Sequence, residues 1–268
     1  MPELFPDMTT FVLCALVVAG AQLIYATAGF GAGMFSIALL AMILPDLGPA
    51  VATLYVLTFL TEAWVLLHAW RQAKARLLLG LLPTTVLGMW LGTELLLLGN
   101  VAWLKRVLGV VVATAGAWFM YDQHRRPGEP GPSGPAVDDA KTRLRPGRKT
   151  WLSLPVGLVS GTLAGLFGTG GPPVIILLKG YRLDKGAFRA TLLWFFLLMS
   201  VLRGGTYLRA GILRADEITA AVWLLPASVL GTILGMVAHR RLSERQFAAA
   251  VSVLLLILGA LLVAGGGR

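Results

Sequence analysis

Apolar runs separated by short polar or glycine-rich stretches fill most of the 268 residues. Eight of these runs, near 9–28, 50–70, 77–98, 103–121, 152–167, 187–208, 216–237 and 246–264, approach the length of about 20 residues that crosses roughly 30 Å of hydrocarbon as a helix. The pattern predicts an all-α polytopic membrane protein with little chain left for a soluble domain. Two stretches depart from it. Ala28–Pro45 reads AGFGAGMFSIALLAMILP and Gly165–Leu178 reads GLFGTGGPPVIILL, so each sets several glycines, and the second also two prolines, within an apolar setting where they weaken a helix most.

The chain also resembles itself. LLPTTVLGMWLG at Leu81–Gly92 matches LLPASVLGTILG at Leu224–Gly235 at eight of twelve positions, with a shift of 143 residues. The same shift sets Gly116-Ala117 against Gly259-Ala260, and a shift of 137 sets FGAG at Phe30–Gly33 against FGTG at Phe167–Gly170. Between the halves, Arg125–Lys149 is so rich in Pro, Gly and charge that it cannot bury enough surface to fold alone. The expected organisation is a transmembrane repeat over 1–121, a flexible cytoplasmic linker over 122–150 and a second transmembrane repeat over 151–268.

Composition agrees with a membrane chain. Hydrophobic residues make up 57% and charged residues 13%, with a mean hydropathy of +0.78, against about 25% charged residues in a typical soluble domain. The net charge of +10 sits between the apolar runs rather than on one face of a domain, so it argues for topology and against nucleic acid. Glu3 and Asp7 precede the first run and no Lys or Arg occurs before Arg71, so that run is expected to stay in the mature protein rather than act as a secretory signal. The single cysteine, Cys14, excludes an internal disulfide and reads as a small packing residue.

Short cytoplasmic loops are enriched in Lys and Arg. The basic clusters are Arg71, Lys74 and Arg76; the linker; and Arg240, Arg241 and Arg245. Eight simple crossings would split these clusters between the two sides. If each glycine-rich stretch is instead the tip of a hairpin that returns to its own side, all three are cytoplasmic, together with Lys179, Arg182, Lys185 and Arg189. Each half is then one re-entrant hairpin, or broken helix, plus three transmembrane helices, and the halves insert as inverted repeats, a plan common in secondary transporters. Arg203, Arg209 and Arg214 then fall on or near the outer side, partly offset by Asp216 and Glu217.

Unpaired backbone groups in hydrocarbon cost several kcal/mol each, so a broken helix persists where it is buried in protein or lines a wet cavity. The freed N–H groups at the start of the next half-helix suit an anion. Pro172 and Pro173 fit such a start, and glycine lets an anion approach the backbone. The bland reading is packing: Gly29 with Gly33 and Gly161 with Gly165 are GxxxG pairs, which commonly let helices approach. Gly88 with Gly92 and Gly231 with Gly235 lie in otherwise regular helices and read as packing.

In the AGFGAG stretch, its FGTGGPP counterpart and the LLP-x-x-VLG-x-x-LG repeats, the chain resembles the TauE/SafE sulfite exporter family of bacterial membrane permeases. The resemblance implies a permease of the inner membrane that moves sulfite, sulfoacetate or related small organic anions. It places the family's motifs on Gly29, Phe30, Gly31 and Gly33, and on Gly168, Thr169, Gly170, Gly171, Pro172 and Pro173. The second motif is the fuller match, because Met34-Phe35 stands where the second has Gly171-Pro172.

Two charged residues fall inside predicted spans, where ionisable groups are costly and by default functional candidates. Glu62 could carry a coupling proton. Arg203, in the corresponding helix of the other half, could bind the anion or pair with Glu62. Both are also near enough to helix ends to snorkel to the interface. Gln22 and Thr27 near the first break, and Thr169 near the second, could donate to substrate or satisfy freed backbone groups. Trp70, Trp103 and Trp151 lie at segment ends and read as interfacial anchors, while His68, His124 and His239 show no metal-ligand spacing.

The sequence thus points to a secondary transporter of a small anion, which the resemblance would place in the bacterial inner membrane. There is no P-loop to energise it with nucleotide, so an ion gradient, taken as protons, would drive it. The rival readings are a passive anion channel and a membrane-embedded enzyme, for which no GxSxG, HExxH or His–carboxylate cluster is present. Expected partners are the anion, the coupling ion and membrane lipid, with no nucleic acid and no cofactor, and with room for a homodimer.

Overall fold

The computed structural model describes residues 2, 4–28, 32–69, 74, 76–125, 146–181, 183, 185–239 and 244–265. The described residues form helices only: α1 (Met8–Ala28), α2 (Ala32–Ile43), α3 (Leu47–Ala69), α4 (Arg76–Leu79), α5 (Leu82–Leu98), α6 (Val101–Arg125), α7 (Pro146–Phe167), α8 (Gly171–Lys179), α9 (Lys185–Arg209), α10 (Ala215–His239) and α11 (Glu244–Gly265). Four of them carry apolar stretches long enough to cross a membrane: Met8–Ala26, Val101–Asp122, Ala190–Arg209 and Ala215–Val237. Large apolar side chains such as Leu16, Trp90, Leu98 and Leu230 lie on the outer surface, as they should where the solvent is lipid and need not be avoided.

Seven of the eight predicted runs are single helices. The exception is 77–98, which is broken at Gly80-Leu81 into α4 and α5. The two LLP motifs therefore differ locally. Pro83 is the second residue of α5, where a missing N–H costs nothing, whereas Pro226 sits inside the unbroken α10. Gly80, a poor helix former, precedes Pro83 and supplies the break. The Leu81 N–H there reaches back only three residues to Leu78 O at 2.9 Å. No comparable glycine precedes Pro226.

The helices cluster into two compact units, and each unit draws on both halves of the sequence. The first holds Met1–Leu57, Leu96–Gly128 and Ala210–Arg268; the second holds Thr58–Leu95 and Glu129–Arg209.

In the first unit α10 packs on α1 and α11 on α6. The α6–α11 seam is built from glycine. A Cβ on Gly116 would stand 2.9 Å from Ser252 O, and one on Gly109 would stand 2.8 Å from Gly259 O. Residue numbers rise along α6 as they fall along α11, so the two helices are antiparallel. By the 143-residue shift, Gly116 is the counterpart of Gly259 and Gly109 of Ser252. The contacts are therefore reciprocal between repeat mates, the pattern a two-fold axis produces. On α10, a Cβ on Gly231 would overlap Ala19 O, and one on Gly235 would stand 2.6 Å from the Ala26 Cβ.

In the second unit the corresponding pair is α5 with α7. Cβ atoms on Gly88 and Gly92 would overlap the carbonyls of Leu158 and Thr162, and ones on Gly161 and Gly165 would overlap those of Thr85 and Met89. These glycines are packing residues, with backbone against backbone. Each unit thus sets the LLP helix of one repeat against the first helix of the other. Two threonines along this seam turn back on their own helix: Thr85 and Thr93 donate to the carbonyls four residues back at 2.7 and 2.9 Å, so neither hydroxyl is left unpaired in the contact.

Candidate functional site

The break between α7 and α8 is built from the FGTGGPP motif. Helix α7 ends at Phe167 because Gly168 adopts a left-handed φ of 71°, costly for any residue with a Cβ. Its N–H caps the helix by donating to Ala164 O at 2.9 Å, the simple left-handed helix stop. Gly170 then flanks α8, with proline in the first turn. The Ser160 hydroxyl donates to the Gly170 carbonyl and holds the loop against α7, where a Cβ on Gly170 would stand 2.5 Å from Ser160 O. At about 1.5 Å per residue, the nine-residue α8 is far too short to span a bilayer, and it packs back on α7.

Helix α9 lays a polar stripe along this break. Ser200, Arg203 and Tyr207, spaced i, i+3 and i+7, share one face and are all buried, Arg203 at 5% exposure. The Tyr207 hydroxyl donates to Gly165 O at 2.9 Å in the last turns of α7. The Arg203 guanidinium lies against Gly168, so closely that a Cβ there would collide with Nη1. Arg203 Nη2 donates to Ser200 Oγ at 3.3 Å, and the Ser200 hydroxyl in turn donates to Glu62 Oε2 on α3. The charge of Arg203 also acts on Glu62. Thr169 is buried, and its Oγ1 has no hydrogen-bond partner among the described residues.

The second unit therefore brings together Glu62, Arg203 and the Gly168–Pro173 motif, and neither charged side chain runs to a helix end. Sequence reasoning missed Ser200, Ser160 and Tyr207. A signal was available for the first and last, since Ser200, Arg203 and Tyr207 are polar positions at helical spacing within an otherwise apolar segment. Glu62 and Ser200 are 138 residues apart, close to the 137-residue shift that relates the two glycine stretches.

Among the described residues, the first break, in the other unit, is chemically plainer. Of its motif, Gly29, Phe30 and Gly31 lie outside the described residues, as does the side chain of Thr27, whose backbone lies in the last turn of α1. Gly33 belongs to α2, and its carbonyl accepts from the Ser36 hydroxyl at 3.2 Å. Helix α2 packs back on α1, with the Phe35 ring over Gly20. Lys105 Nζ donates to Leu44 O at 3.4 Å just past the end of α2, where a cation meets the negative end of the helix. Gln22 is buried on α1, and its Oε1 has no hydrogen-bond partner among the described residues.

The remaining expectations bear less on the site. No group of His, Cys, Asp or Glu suited to a metal occurs among the described residues. Trp103 is partly exposed near the start of α6. Cys14 is buried. Residues 126–145 of the linker and most of the basic loops at 71–76 and 240–245 lie outside the described residues.

With this geometry in place, comparison with known proteins adds a family. The model of the family described as Sulfite exporter TauE/SafE matches residues 13–262 of the chain. No curated protein and no solved structure matches it.

Proposed function

The chain belongs to the sulfite exporter TauE/SafE family, a family of membrane transporters and not of enzymes, and we propose that it is a proton-coupled secondary carrier of a small anion. Sulfite and sulfur-containing organic anions such as sulfoacetate are the proposed substrates, and the bacterial inner membrane the proposed location, with the basic loops and linker cytoplasmic. The antiparallel, reciprocal contacts of α6 and α11 support inverted repeats over 1–121 and 151–268.

The observation that carries the proposal is the buried Arg203 guanidinium held against Gly168 at a helix break. A buried guanidinium carries positive charge into a low-dielectric setting, and when Glu62 beside it is neutral an anion would balance that charge. The N-terminus of α8 contributes less than its helical geometry suggests. Pro172 and Pro173 have no N–H, so Gly170, Gly171 and Val174 provide the nearby backbone donors and Arg203 provides most of the positive charge. Thr169 adds a buried hydroxyl beside it. Glu62 is the proposed proton carrier, and Gln22, Thr27 and the Gly29–Gly33 stretch are proposed as substrate-binding residues of the first repeat in their own right.

Flux into vesicles reconstituted with the protein tests this reading. Sulfite, thiosulfate, sulfoacetate and simple carboxylates are to be compared with and without a proton gradient. Saturable uptake of a sulfur oxyanion that responds to the gradient is the expected result. Flux that rises linearly with concentration and ignores the gradient would indicate a passive channel instead.

A further inference from the structure

We propose that Ser200 is a positioning residue that couples protonation of Glu62 to anion binding at Arg203; the proposal rests on the carrier reading above and deepens it. A hydroxyl has one hydrogen to donate and two lone pairs to offer. Here both functions are engaged: Ser200 donates to Glu62 Oε2 and accepts from Arg203 Nη2. One oxygen atom thus links an acceptor-only carboxylate to a donor-only guanidinium, and its hydrogen direction depends on which form Glu62 takes.

With Glu62 ionised, the Ser200 hydrogen is committed to the carboxylate and the charges of Glu62 and Arg203 offset each other. When Glu62 takes a proton from solvent, one O–H bond forms there and none is broken in the protein. The neutral acid can then donate to Ser200 Oγ in competition with Arg203 Nη2, which leaves the guanidinium free to turn towards an anion. The same event removes the negative charge that opposes anion binding. Proton and anion together restore the charge balance that a low-dielectric site requires, so each should tighten the other, as reciprocity of coupled binding demands.

Among the described residues, Arg203 and Ser200 are the groups that act on Glu62. Other ionisable groups on the helices around it occupy different positions. Tyr207 is bonded to Gly165 O. Glu94 of α5 follows Thr93, whose hydroxyl meets Thr206 at 3.3 Å. Lys179 and Arg209 stand in the last turns of α8 and α9. On α3 itself His68 lies six residues beyond Glu62 near the helix end, and its side chain is outside the described residues.

The test uses the full chain in vesicles and sulfoacetate as the probe, because its charge stays fixed between about pH 6 and about pH 8. Half-saturation of counterflow is to be measured at both pH values for the wild type, Ser200→Ala and Ser200→Thr. In the wild type, and in Ser200→Thr, which keeps the hydroxyl, half-saturation should be markedly tighter at the lower pH. In Ser200→Ala the two values should agree within about twofold while counterflow persists. A full pH response in Ser200→Ala, or loss of counterflow in both variants alike, would overturn the coupling role. Absence of any pH response in the wild type would defeat the carrier reading itself, and the coupling role with it.

Discussion

The two helix breaks occupy equivalent places in the repeats yet differ in what surrounds them. After α1, the structure offers packing: Phe35 over Gly20, a lysine at the end of α2 and the buried amide of Gln22. After α7, it offers charge: Arg203 against a left-handed glycine, bridged by Ser200 to Glu62. Repetition of a backbone device therefore does not carry repetition of its chemistry. The repeat supplies two places where a helix can stop, and among the described residues the charged pair of Glu62 and Arg203 stands at the second.

Substitutions at the two breaks should separate these roles. The largest expected effect is that of Arg203→Ala. Losing one partner of a buried charged contact costs about 2–5 kcal/mol, so uptake of the transported anion should fall by about a hundredfold or more. Gln22→Ala, measured in the same vesicle assay, should cost about tenfold or less, since a neutral amide contributes a weaker hydrogen bond. Equal losses at the two positions would erase the distinction.

Glu62→Gln should come next. It should abolish the pH dependence of transport while leaving expression intact, because the amide keeps the shape and an acceptor for Ser200 but cannot titrate. A pH profile like that of the wild type would remove Glu62 from the coupling.

Smaller but cleaner is the contrast between Gly168→Ala and Gly20→Ala in thermal unfolding and transport. At Gly168 a methyl group meets both a left-handed backbone and the Arg203 guanidinium, and the backbone alone costs about 1–2 kcal/mol. At Gly20 it would find the Phe35 ring at 3.5 Å, ordinary van der Waals contact. That change should be near neutral, within about 0.5 kcal/mol.

The smallest effect belongs to Asp7, ahead of α1 and at the opposite end of that helix from the first break. Its carboxylate accepts from the Thr10 N–H at 2.6 Å, and that bond, together with the Thr10 side chain, holds its pKa below the ordinary 3.8. A depressed carboxylate pKa contributes stability above the unfolded value that is lost as pH falls through the folded one. Asp7→Asn should therefore narrow the gap in melting temperature between neutral pH and about pH 3, and should leave transport unchanged.

Much of this was legible in the sequence because membrane segments announce themselves by length and hydropathy, and because Gly and Pro punctuate helices for stated steric reasons. The start of α8 at the double proline and the packing role of Gly88, Gly92, Gly231 and Gly235 followed from those rules. The break before α5 did not, because LLP reads alike at Pro83 and Pro226 and the deciding residue, Gly80, lies outside the repeated motif. Ser200 escaped for another reason. A serine in an apolar helix most simply returns its hydroxyl to its own backbone, and only the placement of α3 beside α9 gives it Glu62. The composition of the two units was equally hidden, since hydropathy says where helices are and nothing about which repeat lends a helix to the other.

The most direct test is equilibrium binding of sulfite to the purified full chain and to Arg203→Ala, by calorimetry at one pH. A buried guanidinium that receives the substrate predicts saturable binding to the wild type and a loss of about a hundredfold in the variant. Equal affinity in the two proteins, with the variant folded as judged by its melting temperature, would place the anion elsewhere and contradict the account.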